Sequence, residues 1–322
     1  MRIVSLLPSA TEMIYALGLG DHVVGVTHEC DYPIDAQTKP AVTYSTIDHS
    51  NMHSEEIDHA VRSTVQAGLS LYALDEALIA DLKPDLIVTQ ALCDVCAVSY
   101  SLVEQTVAHL MPTLRDNAPH VLSFEPNSLD DILDTIMMVG AATEQDNEAT
   151  TLVNQLRERI EQVRAQATHL TSIPRVACFE WVDPLYGPGH WLPELVRIAG
   201  GISGLGNEHQ NSRRVAWSDV IAFAPEVIVV TPCGMSLEQT LEEASRVLPY
   251  RAGWHALPAV RSGHVYVVDG NSYFSRPGPR IVDSLELLAE LIHPTLFAGW
   301  GPQGAWLPFH ASATQSTSAP MS

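Results

Sequence analysis

Residues 129–170 contain no internal proline, and from residue 144 onward apolar side chains recur at Leu152, Leu156, Ile160 and Val163. Spacings of three and four place them on one face of a helix. Pro174 ends the segment, so one long helix is expected over residues 144–169. A rod of that length in mid-chain limits the architecture, because the sequence on either side of it must build its own layers.

Both flanks alternate short β-rich runs with amphipathic segments, the pattern of a sheet covered by helices. Before the rod, strands are expected at residues 2–7, 22–27, 85–90 and 121–124, and helices at 9–17, 54–67 and 74–82. Ser9 followed by Glu12 reads as a capping box opening the first helix. Beyond the rod, strands are expected at 175–181, 226–231 and 264–268, and helices at 193–199 and 280–292. L-K-P-D-L-I-V-T-Q at 82–90 and F-A-P-E-V-I-V-V-T at 223–231 share one order of helix end, proline, acid and buried strand. This is a repeat of architecture between two halves. A chain of 322 residues with 46% hydrophobic content can bury two cores. The expected fold is therefore α/β, with two α/β lobes, a ligand cleft between them and one long rigid helix joining them. The divisions are residues 1–126, a helical linker at 127–172, a second lobe at 173–295 and a disordered tail at 296–322.

The formal charge of −21 repels phosphate backbones and anionic lipid, which argues against nucleic-acid and membrane-surface partners. No apolar run approaches the length of a transmembrane helix, so no membrane insertion is expected. The opening M-R-I-V-S-L-L-P has an apolar stretch only about five residues long, short of a secretory leader, which predicts a cytoplasmic protein. Five cysteines, an odd number in a long chain, suit reduced thiols.

Several segments together carry a resemblance to a known family: S-L-L-P-S-A-T-E-M-I-Y-A-L-G-L-G at 5–20, V-V-G-V-T-H-E-C-D-Y-P at 23–33, L-K-P-D-L-I-V at 82–88, R-I-A-G-G at 197–201 and S-R-P-G-P-R at 275–280. From residue 2 to residue 293 the chain resembles the substrate-binding proteins of ABC importers for cobalamin and iron-siderophores, and it is most similar to the cobalamin branch. The resemblance implies a binding module rather than an enzyme, holding cobalamin, another corrinoid or a related small-molecule metal chelate in the cleft. Members of the family present a glutamate on each lobe to the transporter. Asp75 or Glu76 would serve in the first lobe, but Ser218, with only Asp219 beside it, stands at the matching place in the second. Together with the missing secretory leader expected above, this speaks against docking to an importer.

The residues themselves mark two kinds of site. Open α/β sheets bind ligands at the carboxyl ends of their strands, and C-F-E-W-V-D-P-L-Y-G-P-G-H-W-L-P-E at 178–194 leaves such an end. Its Glu180, Trp181, Tyr186, His190 and Trp191 combine stacking surfaces with a few polar groups, as a large flat chelate requires, and His190 could ligate cobalt or iron axially. The alternative is that Trp181 and Trp191 fill the core of the lobe. Tyr72, Arg213 and Arg276 complete the expected ligand-binding set, the arginines through their fork-shaped donors. The second kind of site is made of thiols. Cys93 and Cys96 form a C-x-x-C after a strand, and Cys30 with His28 sits at another strand end. On one rim these four would suit zinc or another thiophilic metal, giving a second reading, a cytoplasmic metal-binding or thiol-redox protein centred on Cys30, Cys93 and Cys96. The bland reading is buried thiols under a helix start.

Overall fold

The structure, a computed structural model, describes residues 1–49, 52–90, 100–114 and 118–310. In chain order the first half holds β1 (Ile3–Ser5), α1 (Pro8–Ala16), β2 (Val23–Gly25), β3 (Thr43–Ser45), α2 (Ser54–Gln66), β4 (Tyr72–Leu74), α3 (Glu76–Leu82), β5 (Leu86–Gln90), α4 (Tyr100–Leu114) and β6 (His120–Phe124). Four of these strands make a parallel sheet in the order β2-β1-β5-β6, while β3 and β4 pair antiparallel by themselves.

Two helices follow, α5 (Leu129–Ala142) and α6 (Asp146–Ala167). The rod is therefore α6, and the proline-free run ahead of it is a separate helix broken at Thr143 and Glu144, the latter with φ 59. Leu156, Ile160 and Val163 are buried on α6 as the stripe requires, together with Val153. On its flank Arg159 grips Asp283 and Glu286.

The second half holds β7 (Arg175–Phe179), α7 (Leu192–Ile198), β8 (Ile202–Ser203), α8 (Trp217–Phe223), β9 (Val227–Val230), α9 (Leu237–Val247), α10 (Pro258–Ser262), β10 (Val265–Val268), α11 (Ile281–Ile292) and β11 (Trp306–Pro308). Its sheet runs β11-β10-β9-β7-β8, with only β11 antiparallel to its neighbour. This corrects the expected tail. Residues 296–310 carry β11 and bury Phe297, Ala305 and Phe309, and residues 311–322 lie outside the described residues.

One apolar core runs through both lobes. It joins Ile3, Val88 and Phe124 of the first sheet to Val176, Val229 and Val268 of the second through α1, α5, α6, α7 and α11. The outer sheet faces have cores of their own, around Val4, Leu6 and Ile87 in one lobe and Phe179, Ile228 and Trp254 in the other. At roughly 1.5–3 kcal/mol for each fully buried large aliphatic or aromatic side chain, the shared layer fixes the sheets relative to each other.

The repeat of architecture is visible in the backbone. α3 and α8 each end on a non-glycine residue in the left-handed region, Lys83 (φ 44) and Ala224 (φ 49), followed by proline and a central strand. The capping box at Ser9 does not form. Proline at N1 opens α1 one residue earlier, the cap position Leu7 makes no side-chain cap bond, and both Ser9 and Glu12 are buried. Glu12 has a different partner, far along the chain.

Candidate functional site

Loops beyond the carboxyl ends of β2 and β10 meet each other, Asp31 bonding to Arg276 and Asn271, so these strand ends border the space between the lobes. On the first lobe, residues 27–33 leave β2. His28 Nδ1 lies 2.7 Å from Thr43 Oγ1, its ring packs 5.8 Å from Tyr72, and its Nε2 approaches Glu29 Oε1 at 3.4 Å. The bond from His28 holds the Glu29 carboxyl below its ordinary range. Cys30 turns inward: it is buried, and its Sγ lies 3.1 Å from Thr11 Oγ1. Burial pushes its thiol up to about 11, the opposite of what a thiolate ligand needs.

Asp31 faces the second lobe. Both its carboxylate oxygens accept from the Arg276 guanidinium, one at 2.9 Å, and Asn271 Nδ2 donates to it at 3.1 Å. Arg276 also reaches Glu12 Oε1 at 3.4 Å, and Arg280 binds Glu12 through two bonds of 2.9 and 2.6 Å while its guanidinium lies 4.2 Å from the Tyr32 ring centre. Arg276 and Glu12 are nearly inaccessible, at 4% and 3% exposure. This is an ion-pair clamp between the lobes, and it uses up the guanidinium that was expected to meet a ligand.

On the second lobe, residues 180–191 leave β7 as a small hairpin, with Glu180 N donating to Tyr186 O at 3.0 Å and Tyr186 N to Trp181 O at 3.2 Å. Glu180 is held by Gly189 N at 3.0 Å and by the Ser212 hydroxyl. Burial outweighs these bonds and raises its carboxyl to about 7. His190 has a left-handed backbone (φ 49) fixed by a 2.6 Å bond from its N–H to Gln210 O. Its half-buried ring packs 5.5 Å from Trp191, and its Nδ1 lies 3.3 Å from Asn127 Oδ1, in the turn between β6 and α5. Burial lowers its pKa and so favours the neutral imidazole, which keeps a lone pair on one ring nitrogen.

The expected ligand-binding residues thus separate by environment. Glu180, Trp181, Tyr186 and His190 share the β7 loop, and Arg213 stands exposed on the neighbouring segment, whose carbonyl accepts from Gly187 N at 3.0 Å. Trp191 is core, 7% exposed, with its indole donating to Phe274 O at 3.2 Å. Arg276 is part of the clamp. Tyr72 lines a cavity of about 470 Å³ in the first lobe together with Thr46, Thr64, Glu76, Leu102 and Thr106. A smaller one of about 360 Å³ touches His28, Cys30, Asp31 and Lys39. Cys93 and Cys96 lie outside the described residues; among the described residues no group of three or more His, Cys, Asp or Glu side chains is arranged to hold a metal ion. Sequence reasoning missed Asn127 and the segment 53–58, which meets the second lobe at Trp181, Tyr186, Arg214 and Glu243. Apart from the hydrophilic character of α2, nothing local in the sequence marks it.

Comparison with known proteins agrees with this geometry. A family described as periplasmic binding protein matches residues 3–271. An ABC transporter substrate-binding lipoprotein of Bacillus subtilis (strain 168) is 26% identical over 304 residues, covering 92% of this chain and 81% of the relative. The structure of the periplasmic heme-binding protein RhuT from Roseiflexus sp. RS-1 superposes with a TM-score of 0.66 at 22% identity, over 92% of this chain and 98% of that one. The periplasmic vitamin B12 binding protein BtuF of Vibrio cholerae gives 0.61 at 23% identity, over 90% and 96%. The two-lobed fold is the one these structures share. The expected cytoplasmic location is corrected by the same findings: proteins of this kind are periplasmic or lipid-anchored and work outside the cytoplasm, and a short apolar start does not outweigh that.

Proposed function

Because the chain belongs to the periplasmic binding protein family, whose members carry solutes and do not transform them, we propose that it holds a tetrapyrrole-class metal chelate between its lobes, a corrinoid first. The supporting observation is the β7 loop. A half-buried His190, its pKa lowered, packed on Trp191 and bonded to Asn127 ahead of α5, shares this loop with Trp181 and Tyr186. Aromatic faces supply apolar contact and the imidazole supplies one directed bond, which together suit a large planar ligand. The proteins named as binding vitamin B12 and heme share the fold. The thiol-centred reading gains nothing from a buried Cys30, and zinc is no part of the proposal.

An ABC importer is the proposed receiver, in line with the relative described as an ABC transporter substrate-binding lipoprotein. Each lobe offers an exposed carboxylate in the first turn of its equivalent helix, Glu76 in α3 and Asp219 in α8. Ser218 therefore does not leave the second lobe without an acid for the arginines of a transporter.

The experiment mixes the protein with cyanocobalamin, dicyanocobinamide and hemin separately and follows their visible absorption. A saturable band shift with one of them supports the proposal. Unchanged spectra with all three at concentrations above about 10 μM, near −7 kcal/mol, would remove it.

A further inference from the structure

Helix α2 has a position that the fold alone does not require. β3 and β4 are paired strands, and the chain leaves them at residue 46 and returns at residue 71 after building α2. In the second lobe the corresponding connection from β8 to α8 is residues 204–216 and contains no such helix. α2 buries little: Ser54 is its only buried residue, and Gly68, with φ +70 and open space where a Cβ would lie, turns the chain back at its far end. A helix with so little packing on its own lobe has to be held by something else.

What holds it is the second lobe, through two polar clusters. In the first, Glu243 of α9 accepts from Ser54 N at 3.2 Å, lies 2.8 Å from His53 Nδ1 and is bound by Arg246 at 2.8 and 3.2 Å. The Trp181 indole donates to Ser54 O at 3.0 Å. A carboxylate facing the first turn of a helix also meets the positive end of its dipole. In the second cluster Asp58 accepts from Arg214 Nη2 at 2.6 Å and from Tyr186 OH at 3.5 Å, and Arg214 lies over the Tyr186 ring at 5.7 Å. The polar edges of Trp181 and Tyr186 on the β7 loop thus bond α2 in place. The bonds are polar and wet on their basic side: the His53 and Arg214 side chains are about half exposed at 50% and 45%, while Glu243 and Asp58 are largely buried, and lifting α2 would return those carboxylates to water rather than strip them of it.

We propose that α2 is a lid over the mouth of the interlobe cleft, latched to the second lobe by His53 and Ser54 on Glu243 and by Asp58 on Arg214, and that it lifts to expose Trp181 and Tyr186. What the lid admits rests on the solute-binding reading above; its docking does not.

The test uses the full chain without any chelate. Hydrogen exchange of the α2 amides is compared between the wild-type protein and the Asp58→Asn/Glu243→Gln variant. Acrylamide quenching of Trp181 is read as the difference from the matching Trp181→Phe proteins. The expected result is exchange about tenfold faster in α2, unchanged exchange in β1 and β9, and roughly twofold stronger quenching of Trp181. Exchange in α2 at the wild-type rate, or faster exchange with Trp181 no more accessible, overturns the lid. Should the double variant fail to fold, Arg214→Gln, an exposed change, takes its place with the same directions expected and the same outcomes decisive. Because acrylamide is the probe, failure of all three chelates to bind counts against the solute reading alone.

Discussion

Among the described residues the two lobes touch through ion pairs at two places, and the places differ in how far their basic side chains reach into water. In the clamp, Arg276 and Glu12 are almost wholly buried, and Asp31 and Arg280 complete a chain of bidentate bonds with Tyr32 and Tyr273 beside the guanidinium. At the α2 latch the acids are largely buried, Glu243 at 6% and Asp58 at 13%, but both bases, His53 and Arg214, stand about half in solvent, whereas the clamp's bases Arg276 and Arg280 are 4% and 14% exposed. Buried charges are costly to leave unpaired, whereas exposed pairs contribute little and exchange readily. One chemistry therefore does two jobs: the clamp fixes how the lobes meet, and the latch holds a part that can move.

The largest test of that contrast removes Glu12. Glu12→Ala leaves Arg280 and part of Arg276 without a counter-ion in a dry site, and denaturant unfolding should show a loss of about 3–5 kcal/mol. A loss below about 1 kcal/mol would put the clamp in the same class as the latch.

A second effect, on the order of 2 kcal/mol, concerns Glu180 on the β7 loop. Its folded pKa, about 7, lies above its ordinary value because burial disfavours the charge. A carboxyl raised in this way supports the fold fully below its unfolded pKa, and that support is lost as pH rises through about 7. Glu180→Gln keeps the shape and removes the titration, so the variant should gain on the wild type in melting temperature between pH 5 and pH 8. A constant difference across that range would contradict the assignment.

The smallest effect belongs to the latch. A double-mutant cycle on Asp58→Asn and Arg214→Gln should give a coupling of about 0.2–1 kcal/mol. Glu243 adds a pH signature. Burial alone would raise its pKa, but bonds from Arg246, Ser54 and His53 prevail and hold it at about 2. A depressed carboxyl supports the fold above its ordinary value of 4.5, and that support is lost as pH falls toward about 2. Exchange of the α2 amides, corrected for intrinsic rates, should accelerate across that window, while the Glu243→Gln variant shows no such step.

Much of the frame could be read from the sequence because it depends on local periodicity. The stripe on α6, the proline after Lys83 and Ala224, and the apolar run of β5 each declare themselves within a few residues. Where local signals compete, they misled. Ser9 and Glu12 have capping-box spacing, yet Pro8 at N1 moves the helix start, and Glu12 finds its partner in Arg280. The strand Trp306–Pro308 is too short to stand out, and it forms because β10 offers it an edge. On the β7 loop, Trp181 and Trp191 look alike in sequence, but one caps the rim under α2 and the other sits in the shared core. That difference is set by the turn at His190, whose left-handed backbone depends on Gln210. The pairing of Asp58 with Arg214 and of Asp31 with Arg276 is tertiary, and no spacing announces it.

Isothermal titration of wild-type and His190→Ala protein with cyanocobalamin, dicyanocobinamide and hemin tests the central claim most directly. The account predicts that one chelate binds the wild type with one-to-one stoichiometry at micromolar affinity or tighter, and that His190→Ala binds it about tenfold more weakly, near 1.4 kcal/mol. Equal affinity in the two proteins, or no binding to the wild type tighter than about 10 μM, would contradict it.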